Sequence, residues 1–216
     1  MTADRKGSGP RRALGRLRAG AALACAAMLL SACTILPKAE PVDVYLLPVG
    51  EAATSTRNVT QPLPVSLRIA RPAAGVHLAG QRIVVIPEGN RVSVYKGAGW
   101  SDPAPILVRN RLLDAFRADG RIAALSTDER RLQADFEIDS DLRAFQTEYR
   151  DGRPEVVIRL DARLYRPDTQ RIVASQRFEF RQAATDTAVP AVVQAFGMAS
   201  DRLAQAVVEW VVGVVE

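Results

Sequence analysis

Three groups of side chains in this 216-residue chain have the types and spacing to do chemistry. Cys33 closes the run Leu30-Ser31-Ala32-Cys33, directly after an apolar stretch from Ala19 to Leu30. A thiol is a nucleophile, and the small residues before it suit an ordinary signal peptidase. His77 is the only histidine, so a Ser-His-Asp triad would have to use it. It stands between Arg71-Pro72-Ala73-Ala74-Gly75-Val76 and Leu78-Ala79-Gly80, with no nucleophile motif beside it, and reads as a loop histidine. Asp135, Glu137, Asp139 and Asp141 alternate along one segment and would share one strand face, a pattern that could hold a metal or serve as acid and base. The arginines at 143, 159 and 163 favour a solvated ladder of mixed charge instead, each pair worth ~0.2–1 kcal/mol. There is no Gly-rich phosphate loop. No cofactor and no metal site is expected, and the chain does not read as an enzyme.

The residues before Cys33 supply its context. Arg5, Lys6, Arg11, Arg12, Arg16 and Arg18 form a basic leader with one acid, Asp4. The twelve apolar residues after it would make a helix of about 18 Å, too short for a permanent span of a ~30 Å hydrocarbon core. Leu30 to Cys33 resembles the bacterial lipobox. That resemblance implies that the Cys33 thiol receives a diacylglycerol, that the chain is cut between Ala32 and Cys33, and that the new amino group is acylated. The pair Arg11-Arg12 could belong to a twin-arginine signal, but Pro10 and Gly15 depart from that pattern, which favours the general secretory route. Thr34, rather than Asp, follows the cysteine, and this points to the outer membrane. Cys25 lies in the leader, so a mature chain acylated at Cys33 keeps no free thiol and no disulfide.

The charge balance excludes a further class. The whole chain carries +5, but removing the leader's six basic residues and Asp4 from the 29 basic and 24 acidic residues leaves 23 of each. A neutral body has no net field to draw in nucleic acid, and none is expected as a partner. With 48% hydrophobic residues the body is also too apolar to stay unfolded. The expected organisation is a signal peptide over 1–32, a lipid-anchored tether over 33–42 and a single periplasmic domain over 43–216.

Elements able to position these residues follow from periodicity. Asp43 to Leu47 suggests a short strand. Val65, Leu67 and Ile69 alternate as on a half-buried strand, and Ile83-Val84-Val85-Ile86 reads as a central one. Val92 and Val94 share one side of the next. A first helix is expected after the N-cap Asp102, with Pro103 in its first turn, an apolar stripe of Val108, Leu112, Ala115 and Phe116, and Gly120 at its end. A short strand at Ile122–Leu125 should follow, then a three-strand meander. Its apolar residues fall on even positions in all three strands: Leu132, Ala134, Phe136 and Ile138; Val156 to Leu164; Ile172, Ala174, Phe178 and Phe180. Matching those faces requires odd-length loops, Arg150-Asp151-Gly152 and Pro167-Asp168-Thr169, or a bulge. A long final helix from Pro190 to Gly213 carries Val192, Phe196, Leu203 and Trp210 inward. Val208, Val211 and Val212 point in several directions, so at least one should be exposed as a partner surface. Trp100 reads as a staple for the first helix.

Cys33, Tyr45-Leu46, the Trp100-Ser101-Asp102-Pro103 opening of the first helix and the Ala-rich last helix ending near Trp210 together resemble the ABC-type transport auxiliary lipoproteins. The resemblance implies an α/β fold: a mixed sheet with an antiparallel meander and two main helices, in a three-layer anticodon-binding-like sandwich. It also implies an accessory subunit of transporters built on MCE-domain proteins, which move lipids between the bacterial membranes. On that reading the partners are an MCE-domain subunit and the outer membrane through lipid-modified Cys33, with a second copy of the chain as a further candidate. The alternative is a structural or assembly lipoprotein of the outer membrane with no transport role.

Overall fold

The computed structural model of the chain describes residues 41–50, 59–130 and 132–216. The expected signal peptide, Ala32, Cys33 and the tether as far as residue 40 lie outside the described residues. Residues 41–216 form one compact unit. Its elements in chain order are β1 (Asp43–Tyr45), β2 (Leu63–Ile69), β3 (Ala73–Ala74), β4 (Arg82–Ile86), β5 (Ser93–Trp100), α1 (Ala104–Asp119), β6 (Ile122–Thr127), β7 (Phe136–Arg150), β8 (Arg153–Arg166), β9 (Arg171–Ala183) and α2 (Val189–Val215).

The nine strands make one mixed sheet organised around β7. One edge of β7 pairs antiparallel with β8, and β8 with β9, which is the expected meander. The other edge is shared by three parallel neighbours. β2 lies along its start (Leu67 opposite Phe136), β3 along its middle (Ala73 opposite Asp141) and β4 along its end (Val84 opposite Gln146). β6 continues beyond β2, while β5 and then β1 continue beyond β4. A strand that serves three partners in turn must bend. β7 does so at Arg143, an extra residue between Leu142 and Ala144 that has no opposite number on β8.

That bulge also corrects the expected first hairpin. The loop has two residues, Asp151 and Gly152, with Arg150 paired to Arg153. Both have positive φ, 50° and 75°, as the tight turn between twisted strands requires. Before the bulge Leu142 faces Leu160; after it Phe145 faces Ile158 and Thr147 faces Val156, so the core face stays continuous although the parity of β7 changes. The second hairpin spans four residues, Pro167 to Gln170, and Val173 is the extra residue beyond it. The even-position pattern fails at both ends of the meander. Leu132 lies outside β7, and Leu132, Ile172 and Val173 are exposed. Val92 and Val94 are exposed as well; Gly97, at φ 68°, shifts the face of β5 so that Ala98 and Trp100 are buried.

Both helices pack on the same sheet face and against each other. α1 starts at Ala104 after Pro103, with no side-chain cap. Asp102, expected as the cap, instead accepts from the Ser101 hydroxyl at 3.1 Å. Its end is as expected: Gly120 takes φ 76° and donates its N–H to Phe116 O at 3.0 Å. α2 runs 27 residues and buries Val192, Phe196, Ala199 and Leu203. At the centre Trp100, Phe145 and Phe196 meet with ring centroids 4.7–5.9 Å apart, the first pairs edge-on. Trp100 is thus core, next to the entry of α1. The described elements form a curled mixed sheet with two helices on one face. They do not show the three-layer anticodon-binding-like sandwich that the resemblance implies.

Candidate functional site

The described chain enters the domain along a strap, residues 46–50, that follows β1 and lies across both helices. Its attachment is made by two charges inside apolar stripes. Arg111 sits on the buried side of α1, one turn beyond Val108, and Asp201 lies between Gly197 and Leu203 on α2. The Arg111 guanidinium pairs with Asp201 Oδ1 and donates to the carbonyl oxygens of Leu47 (3.1 Å) and Pro48. The second oxygen of Asp201 accepts from the Gly50 N–H at 2.8 Å. Close approach is possible because two glycines stand where the strap crosses. A Cβ on Gly197 would lie 2.8 Å from Pro48 O, and one on Gly50 would lie 2.7 Å from Asp201 Oδ2. A buried arginine that satisfies a carboxylate and two backbone carbonyls is well compensated for its lost hydration. The arrangement fixes the path of residues 47–50 across the two helices.

The opposite sheet face carries the ladder. Arg163 donates to Asp139 (2.7 Å) and Asp141 (2.9 Å); Asp161 accepts from Arg143 (3.1 Å) and Arg177 (2.6 Å). Further along, Glu179 accepts from Arg159 (2.8 Å) and Arg181 (3.0 Å), and Arg181 reaches Glu148 and Glu155. The Arg177 and Arg143 guanidinium groups hold the Asp161 carboxyl at about 2. Arg159, helped by Arg181, lowers Glu179 in the same sense. Glu137 and Asp135 do not belong to this ladder. Glu137 is buried and paired with Arg68, whereas Asp135 accepts from the Ser66 hydroxyl (2.6 Å) and N–H (2.7 Å), which lower its pKa. Burial, and then the Glu137 charge, push the Tyr165 phenol up.

A cleft of about 510 Å³ opens beside that pair, lined by Ser66, Arg68, Asp135, Arg166 and Asp168 among others. Its polar groups largely serve one another. Arg68 also donates to Leu132 O at 2.8 Å, and Arg166 lies 4.5 Å from the centre of the Phe136 ring. Among the described residues no group of three or more His, Cys, Asp or Glu is placed to hold a metal ion. Among them, too, no helix is long and apolar enough to cross a membrane.

The residues expected to act fare differently. Ala32 and Cys33 lie outside the described residues. His77 is exposed in a turn before β4. Val208, Val211 and Val212 are 3%, 0% and 1% exposed, so none offers a surface on this domain. The reason is that α2 is buried on more than one side: beyond Pro190 in its first turn, its exposed side chains are a narrow row, Gln194, Met198, Arg202, Gln205 and Glu209. The strap clamp of Arg111 and Asp201 was not expected. Its signal was a charge of opposite sign on the buried side of each helix, although α1 buries Arg109 there as well as Arg111.

With this geometry, the chain matches the family model described as the ABC-type transport auxiliary lipoprotein component over residues 45–208, from β1 almost to the end of α2. The chain belongs to that family. The chain is also similar to a solved Xanthomonas campestris protein of the DUF330 family model, with 29% identity and a TM-score of 0.72 over 80% of this chain and 96% of that one. A second solved protein, described as uncharacterized, shares the fold at 16% identity and a TM-score of 0.61, over 80% and 99% of the two chains. A Bradyrhizobium diazoefficiens protein is 33% identical over 151 residues, 69% of this chain. The match spans 40% of that relative's length. The family's description is that of a lipoprotein and of an auxiliary component of ABC-type transport.

Proposed function

We propose that residues 1–32 are a lipoprotein signal peptide, that Cys33 carries the acyl chains, and that residues 43–216 work as an accessory periplasmic domain on a short tether. Its partner is an ABC transporter with an MCE-domain subunit, which moves lipids between the inner and outer membranes. Thr34 after the cysteine favours the outer membrane as the anchoring side. The family match across β1 to α2 carries this reading. The strap supports it, since a domain that acts from a lipid anchor gains from a defined path between anchor and body. Isolation of the full-length protein from native membranes after mild cross-linking tests the reading. A permease, an ATPase and an MCE-domain protein are expected together in the cross-linked complex. Recovery of envelope-assembly proteins with none of these three would overturn it in favour of an outer-membrane assembly lipoprotein.

A further inference from the structure

We propose that the outer face of β1 rests on the bilayer that holds the acyl chains of Cys33. Val42, Val44 and Leu46 occupy alternate positions of one extended segment, so they line one side of it. They are 51%, 66% and 74% exposed, and among the described residues β1 pairs only with β5. The neighbour opposite Val44 is Gly99, which has no side chain to cover them; the Val42 Cγ1 lies 3.6 Å from where a Gly99 Cβ would stand. Arg82 is also in register with Gly99 and therefore on the same face, exposed and without an ion pair among the described residues. An aliphatic row beside an exposed guanidinium is the chemistry of an interfacial contact: apolar groups enter the acyl boundary and the cation stays among phosphates.

The chain outside the structure selects the occupant. This inference rests on acylation of Cys33. Nine residues of advance separate Cys33 from Val42 and reach at most ~32 Å at ~3.6 Å each. The tether cannot draw slack from beyond Leu46, because Arg111 and Asp201 hold Leu47, Pro48 and Gly50. β1 is therefore the described element that the anchor reaches through the shortest length of chain. A protein partner fits the face less well. Three side chains expose roughly 300 Å² of apolar surface, well short of the ~800 Å² that each side of a stable protein interface buries.

The test uses the full-length acylated protein in vesicles of phosphatidylethanolamine and phosphatidylglycerol. Val44→Cys and, as a control on β9, Gln176→Cys each supply the one free thiol for an environment-sensitive fluorophore. Flotation and intact mass establish anchoring and acylation independently of the label. The expected result is at least two-fold quenching of the fluorophore at position 44 by brominated lipid, with the one at 176 unchanged. If the acylated, floating protein shows no lipid quenching at 44, the inference fails while the anchor stands. Shielding at 44 from an aqueous quencher without lipid quenching would also overturn it, in favour of a protein on this face. A chain that neither floats nor gains acyl mass would overturn the anchor, and the inference with it.

Discussion

Buried Arg111 of α1 and part-buried Asp201 of α2 form an ion pair whose remaining hydrogen-bonding capacity is spent on the strap, at Leu47 O, Pro48 O and Gly50 N–H. One interaction therefore joins the two helices to each other and both to the incoming chain. Its removal should be felt in two places. Asp201→Asn leaves a buried guanidinium without its counter-charge and should cost about 3 kcal/mol, measured by urea unfolding. Hydrogen exchange at Leu47 and Gly50 should rise more than exchange in β8. A loss spread evenly over the domain would mean that the pair holds the helices and not the strap.

Gly197→Ala probes the same crossing without touching a charge. The added methyl would stand 2.8 Å from Pro48 O, and backbone cannot yield as a flexible side chain does. The helix itself should gain slightly from alanine, so any destabilisation reports the strap. The expected outcome is faster proteolysis within residues 46–50 with α2 helicity kept. Unchanged proteolysis would show that the strap has room to shift.

The carboxylates that alternate on β7 should separate into two classes. Glu137→Gln breaks a buried pair with Arg68 and should cost about 2–3 kcal/mol. Asp139→Asn leaves a part-exposed Arg163 that still has Asp141, and should cost less than about 1 kcal/mol. Equal losses in thermal melts would refute the separation.

How much of this was legible in the sequence depends on whether one side chain or two decide it. β2, β4, β6 and the end of α1 at Gly120 follow from local pattern, and the structure has them where periodicity puts them. The ladder pair Asp139–Arg163 was also legible, because alternation places both on one face. The bulge at Arg143 was not: an odd loop and a bulge satisfy the same parity, and only the pairing of β7 with three neighbours on its other edge requires the bend. The exposure expected at Val208, Val211 and Val212 failed for a similar reason. A helix stripe shows its width in the sequence, but not how far a curled sheet and a second helix wrap around it. Arg111 and Asp201 each look like an interruption of a stripe; they become a pair only when the helices are set side by side.

Acid should weaken the ladder in a defined window. Asp161 has its native pKa held at about 2, below the ordinary 3.8, by Arg177 and then Arg143. A depressed carboxylate contributes stability that is complete above its unfolded value and is lost as pH falls through the native one. The contribution should therefore persist to about pH 4 and disappear toward pH 2. Urea unfolding of the parent should show this fall, and Asp161→Asn should flatten it at a cost of about 1 kcal/mol at pH 6. A variant with the parent's full acid slope would place the titrating group elsewhere.

Phe196 and Val212 test whether α2 is core along its whole length. Phe196 meets Trp100 and Phe145 at 5.1 and 4.7 Å and is fully buried, so Phe196→Ala should cost about 3–5 kcal/mol. Val212 lies four turns further on, 1% exposed, where a frayed end could have been tolerant. An unpaired carboxylate there has no partner and little water, so Val212→Asp should destabilise the isolated domain instead of leaving its melting unchanged. The comparison should be made on both variants by circular dichroism and thermal unfolding. If Val212→Asp melts with the parent, the end of α2 opens readily, and the helix terminus regains standing as a surface for a partner.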